Sequence, residues 1–176
     1  MSVLAIQLPP RDRLHARSPG SDATVAWRLP QEWDFVLSSD GRAVAQAGQA
    51  ALALLPRAES VVLVLAEADV GWHPVHIPRA PAARLRAALA GVMEESLLDD
   101  DEALHLALGP GAAPGREGWV AVMHRPWLAA AIAALEGAGR AVERVVPASA
   151  PLARSAWMWV SKMCVIETRF SRASSR

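Results

Sequence analysis

The chain carries one cysteine, Cys164, and one lysine, Lys162, among 176 residues. A single thiol closes no internal disulfide, which excludes a disulfide-stapled scaffold and fits a reducing compartment, the cytoplasm by default. Charge of one sign is missing too, since 18 basic residues balance 18 acidic ones. No long-range field therefore draws the protein to nucleic acid or anionic lipid, and no nucleic-acid partner is expected. The longest apolar runs, such as 61–66 and 127–135, fall far short of the roughly 20 residues that a membrane-spanning helix needs. Met1 to Arg11 has no basic segment ahead of its short apolar run, so no signal peptide is expected. The lone lysine, beside abundant arginine and alanine, reads as coding bias and not as a site.

What is present is apolar material, 52% of the chain, ample for the core of one domain or two small lobes. Strands bounded by breakers are expected at Val3 to Leu8, closed by Pro9-Pro10, and at Ala23 to Leu29, closed by Pro30. Asp40-Gly41 lies between two extended arms in Trp33 to Gly48, the pairing that supplies positive φ for a tight hairpin turn. A brief helix is expected at Ala50 to Leu55, then a strand at Ser60 to Ala66 whose continuous apolar run predicts burial on both faces.

Val70 to Ile77 reads as a strand that Pro74 confines to a sheet edge or a bulge. Beyond Pro81 the period becomes helical, with Leu85, Leu89, Val92, Met93 and Leu97 on one stripe and Arg84, Arg86, Glu94 and Glu95 away from it. Leu104 to Leu108 and Gly118 to His124 are strands around the Gly109 to Gly115 loop. Pro126 to Ala138 is a helix stopped at Gly139, and Val142 to Val146 is a last strand closed by Pro147. The order predicts an α/β fold, a mixed sheet with packed helices, divided into a first lobe over 1–66, a second over 67–147 and an atypical tail over 148–176. The tail is expected to be poorly ordered or loosely docked.

The most informative stretch is Leu89 to Gly109: the end of an amphipathic helix, an acidic turn, then an apolar strand with one histidine. Glu94, Glu95, Asp99, Asp100, Asp101 and Glu102 form the chain's one concentrated charge. Their plain reading is a solvated helix end. Yet carboxylates at a helix C-terminus each cost a few tenths of a kcal/mol against the dipole unless arginines answer them. The group is therefore the candidate partner interface, one on which a partner's arginines could bind carboxylates in bidentate fashion. His105 is expected to be a hydrogen-bonded, partly buried residue. Trp27, Trp33, Trp72, Trp119 and Trp127 are expected in the core or half-buried.

Four segments carry a resemblance: Val3 to Pro10; Val61 to Pro78; Leu85 to Gly109; and Val120 to Pro147. The third is the most specific, a Leu-Glu-Glu-x-Leu helix end running through Asp-Asp into Leu-His-x-Ala-Leu-Gly, with Met93 in place of the first leucine. The fourth repeats an Ala-Val-x-x-Arg-x-x-Leu join and a Leu-x-x-x-Gly helix end at Leu135 to Gly139. In these features the chain resembles the cytoplasmic domain of the type II secretion system protein L family.

The resemblance implies paired lobes of ribonuclease H-like or actin-like ATPase type, the second incomplete here, at the cytoplasmic face of the bacterial inner membrane. It implies a non-catalytic scaffold with no cofactor, partnered by the secretion ATPase (protein E), the inner-membrane proteins M and F, and a homodimer mate. The likeness is read over residues 1–147, and a truncated or frame-shifted chain is expected beyond, soluble if nothing anchors it.

An actin-like or ribonuclease H-like enzyme, such as an ATPase, is the alternative. Nucleotide binding asks for an Asp-x-Gly turn after the first strand and glycine-rich loops whose N–H groups face phosphates. Pro9-Pro10 stands where the first would be, no Gly-x-x-x-x-Gly-Lys-Ser/Thr occurs, and the Gly109 to Gly115 loop reads as a flexible connector. His73 and His76 fall on opposite faces of a strand, against a metal site. Cys164 has no neighbouring base, and Ser38 and Ser39 lie outside any nucleophile elbow. No catalytic, cofactor-binding or metal residue is assigned.

Overall fold

The computed structural model describes residues 1–12, 28–97 and 100–151. Strands β1 (Val3–Leu8), β2 (Trp33–Ser38), β3 (Gln46–Ala50), β4 (Ser60–Leu65) and β8 (Arg144–Pro147) form a five-stranded sheet in the order β3-β2-β1-β4-β8. Strands β5 (Val70–His76), β6 (Leu104–Leu108) and β7 (Glu117–His124) form a second sheet in the order β5-β7-β6. Helix α1 (Ala82–Met93) belongs with the small sheet, and α2 (Arg125–Gly137) with the large one.

Alternation in β1 sends Leu4, Ile6 and Leu8 into the main core, where Trp33 and Phe35 of β2 meet them. β1 runs antiparallel to β2 and parallel to β4, with Val3 opposite Ser60 and Leu8 opposite Leu65. Central β4 buries Val61, Val62, Leu63 and Leu65, as its unbroken apolar run predicts for a strand with parallel neighbours on both sides.

The hairpin at 33–50 forms, but over a seven-residue loop (39–45) in place of a two-residue turn. Asp40 is the reason: its Oδ1 accepts the N–H groups of Arg42 and Ala43 at 2.8 and 2.9 Å and the Ser38 hydroxyl at 3.1 Å. These bonds, the Ala43 one first, hold the Asp40 carboxyl below its usual value and fold the loop around Gly41, at φ +74°. The brief helix after β3 is a single 3-10 turn, Leu52–Leu54. The strand expected over 23–29 lies, for 23–27, outside the described residues, as does the tail from 152 onward.

Pro74 does mark an edge strand, β5, paired only with β7. α1 seats Leu89 and Met93 against Ile77, Val120 and Val122, with Leu85 and Leu97 partly buried beside them. Val92, placed on the same stripe from the sequence, is 52% exposed. It lies about 60° round the helix from Leu89, too far for a sheet of three strands to cover.

The last two elements cross back. Trp127, Leu128, Ala131, Ile132 and Leu135 of α2 pack into the core of β1 and β4, and β8 runs parallel to β4 with Leu65 opposite Pro147. Grouping 67–147 as a second lobe thus differs from the pairing observed, in which residues 70–124 form an insertion and α2 and β8 complete the first sheet. Val70, Ala121 and Met123 join the same core, so the small sheet packs one face on the large lobe and the other on α1. Each fully buried leucine, isoleucine or valine contributes about 1.5–3 kcal/mol relative to exposure.

α2 is closed at both ends. His124 Nδ1 accepts the Trp127 N–H at 3.2 Å, and Gly139 at φ +73° donates its N–H to Glu136 at 2.9 Å. The buried guanidinium of Arg140 then donates to the carbonyls of Ala138 and Leu55, placing positive charge at the negative end of the helix.

Candidate functional site

The acidic group surrounds the exit of α1. The helix ends at Met93 with no basic residue in its last turn and tightens into a 3-10 turn, Glu94–Ser96, that begins with two carboxylates. A second 3-10 turn, Asp101–Ala103, leads into β6, closed by the Ala103 N–H on the Asp100 carbonyl at 2.8 Å. Glu94, Glu95, Asp100, Asp101 and Glu102 are all exposed, and Asp99 lies outside the described residues.

One arginine answers them. The Arg86 guanidinium donates to the carbonyls of Asp101 at 3.0 Å and Leu104 at 3.3 Å, and reaches the Asp101 carboxylate at 3.5 Å. Both side chains are about half exposed, so this ion pair is worth no more than about 1 kcal/mol. Among the described residues Glu94, Glu95, Asp100 and Glu102 make no side-chain hydrogen bond or ion pair. A ridge of carboxylates, four of them uncompensated among the described residues, thus stands beside β6, an edge strand of the small sheet. Sequence reading placed Arg86 off the apolar stripe and saw no anchor in it. The acidic turn it holds is fifteen residues downstream, beyond any local spacing rule.

His105 sits on β6 opposite Met123, on the sheet face turned toward α2. Burial first, then the charges of Arg86 and Arg125, holds its imidazole below the ordinary 6.5. The ring is partly buried as expected, but it has no hydrogen-bond partner among the described residues, against expectation. With two arginines nearby, a third positive charge is disfavoured, which holds the ring toward its neutral form.

The other candidates disperse. The Gly109 N–H donates to Trp119 and the Gly115 N–H to Ile77, each at 2.7 Å, so the loop is a pinned hairpin connection and not a flexible one. His73 and His76 alternate across β5, and His76 Nδ1 meets Glu117 Oε1 at 3.1 Å on the surface. Among the described residues no three His, Cys, Asp or Glu side chains converge to hold a metal. Ser38 serves the hairpin loop, its single hydroxyl hydrogen shared between the Ala43 carbonyl at 2.6 Å and Asp40 Oδ1 at 3.1 Å. Cys164 lies outside the described residues. Trp33 and Trp127 are buried, Trp72 is half-buried and donates to the Ser149 carbonyl at 3.3 Å, Trp119 lies at the surface, and Trp27 is outside the described residues.

A five-stranded sheet made of an antiparallel meander (β1 to β3) and two strands parallel to β1, with an insertion between those two, is an α/β fold of actin-like class. The model of the type II secretion system protein L family matches residues 4–166, and the chain belongs to that family. The match runs past Pro147, where the sequence reading had ended the likeness, into the tail.

A curated relative, the type II secretion system protein L of Pseudomonas aeruginosa, is 51% identical over 67 residues, which are 38% of this chain and 17% of that one. Among solved structures, the cytoplasmic domain of EpsL, an inner-membrane component of the type II secretion system of Vibrio cholerae, superposes with a TM-score of 0.59. Its identity is 23%, over 84% of this chain and 57% of that chain. The PilM-PilN type IV pilus biogenesis complex gives a TM-score of 0.47 at 16% identity, over 85% of this chain and 47% of that one. No helix among the described residues is long and apolar enough to cross a membrane.

Proposed function

We propose that this component of the type II secretion system is a non-catalytic scaffold that holds the cytoplasmic secretion ATPase, protein E, to the inner-membrane platform containing proteins M and F. The observation that carries this reading is the ridge of Glu94, Glu95, Asp100, Asp101 and Glu102, exposed together and, among the described residues, answered by Arg86 alone. Carboxylates left uncompensated at a helix end disfavour the isolated fold slightly and gain most from a partner that brings arginines. Long-range attraction of that kind raises association rates and weakens with salt.

The test replaces Asp100→Lys and Glu102→Lys together and measures binding to the cognate ATPase at two salt concentrations. About a tenfold loss of affinity with a flatter salt dependence is expected. Unchanged affinity and salt dependence would remove the acidic ridge from the interface. Calorimetry with Mg-ATP addresses the non-catalytic half of the proposal, where no binding heat is expected and saturable heat would favour the ATPase alternative.

A further inference from the structure

α1 is charged against its own dipole at both ends. Its exit carries the acidic ridge, while its entrance has no acidic residue in the first turn, no side-chain cap from Pro81, and Arg84 where a carboxylate would be favoured. Two more arginines gather there. The Ile77 N–H donates to the Arg116 carbonyl at 2.9 Å and the Gly115 N–H to the Ile77 carbonyl at 2.7 Å, so the loops that hold Arg79 and Arg116 run side by side just ahead of α1. Arg79, Arg84 and Arg116 are all exposed. Among the described residues none of their side chains makes a hydrogen bond or an ion pair. Glu117, the adjoining carboxylate, meets His76 at 3.1 Å instead.

Arg79 is held in place without an acceptor. Its guanidinium lies against Gly115, where an ideal Cβ would stand 3.1 Å from both Cζ and Nη2. Gly115 is at φ +76°, a conformation that glycine adopts without strain, and its missing side chain leaves the room that Arg79 fills. A cation packed in this way has less rotamer freedom to lose when a partner arrives.

We propose that the entrance of α1, with Arg79, Arg84 and Arg116, binds an acidic segment of a partner protein, a short run of Asp or Glu side chains. Guanidinium groups take carboxylates in bidentate pairs, and the uncapped N–H groups at the start of α1 favour the same charge. A bilayer or a nucleic acid fits less well. Residues 78–84 and 109–116 contain only Pro, Gly, Ala and Arg, so this end offers no long apolar side chain to enter a membrane and no aromatic ring to stack on a base. Glu117, exposed beside Arg116, opposes a continuous anionic surface, whereas a peptide passes to one side of it. The twelve residues of α1 put about 18 Å between this patch and the acidic ridge, so both can be occupied at once. This inference does not depend on the ridge.

Fluorescence anisotropy of a labelled hexaglutamate peptide with the full 176-residue chain tests it, the site being mapped by amide chemical shifts. At low salt a dissociation constant on the order of 100 μM is expected, rising at least about fivefold by about 0.3 M salt as the attraction is screened. Arg79→Glu should weaken binding about tenfold, whereas Arg57→Glu, the same change of net charge on an exposed residue of the large lobe, should leave it within about twofold. Amides in 79–84 and 113–117 should shift as peptide is added. No binding at about 1 mM chain, an equal loss in Arg57→Glu, shifts confined to other segments, or binding to vesicles of phosphatidylglycerol and phosphatidylethanolamine with none to the peptide would each overturn the inference. The wild-type shift map decides even if Arg79→Glu fails to fold.

Discussion

Arg86 on α1 donates to the carbonyls of both Asp101 and Leu104, so one guanidinium fastens the end of the acidic turn to the helix that leads into it. The contact to the Asp101 carboxylate, at 3.5 Å, is the weaker part. The carbonyl bonds fix where the turn stands, and the carboxylates ride on a backbone held from α1.

Arg86→Ala should therefore lower stability by about 0.5–1.5 kcal/mol, the usual worth of hydrogen bonds in a half-exposed setting. Amide exchange should quicken at 101–104 more than in the large sheet. Uniform change across the chain, or none at the turn, would show that Arg86 is not its fastening.

His105 gives stability a defined pH dependence. Its folded-state pKa lies below the ordinary 6.5, so the unfolded chain binds the proton more readily. Stability is then full above the unfolded value and falls as pH drops through about 6.5 toward the folded value. Urea melts at pH 7.5 and 5.5 should show a larger loss for wild type than for His105→Gln. In the Arg86→Ala variant the imidazole, followed by NMR, should titrate closer to its ordinary value.

Two glycines should respond oppositely to alanine. A Cβ on Gly109 would stand 2.8 Å from the Trp119 carbonyl oxygen and 3.1 Å from the Trp72 ring, so Gly109→Ala should cost about 1–3 kcal/mol through backbone displacement. Gly91 lies inside α1 with nothing within 4 Å, and Gly91→Ala should stabilise by roughly 0.5–1 kcal/mol. Thermal melts of the two variants give the signs directly.

Much of this was legible in residue order. The short strand of Val3 to Leu8 closed by Pro9-Pro10, the unbroken run of β4, Pro74 at an edge and Gly139 at a helix end each follow from rules that act within a few residues, and each stands as read. The acidic stretch and the strand after it were equally plain, because charge and alternation are written locally. Less legible were Val92, whose exposure depends on how wide a sheet the helix meets, and the hairpin loop, where the Asp40 carboxylate captured three donors and lengthened the turn.

Residue order by itself determined the elements, the apolar faces and the place of the negative charge, since these depend on side-chain chemistry and short-range backbone geometry. Tertiary structure alone decided that α2 and β8 return to the first sheet across an insertion, that Arg86 reaches fifteen residues ahead, and that Arg140 is buried against Leu55. Those facts are contacts between segments far apart in the chain. No period or spacing encodes them, because they arise only when separate apolar faces close on one common core.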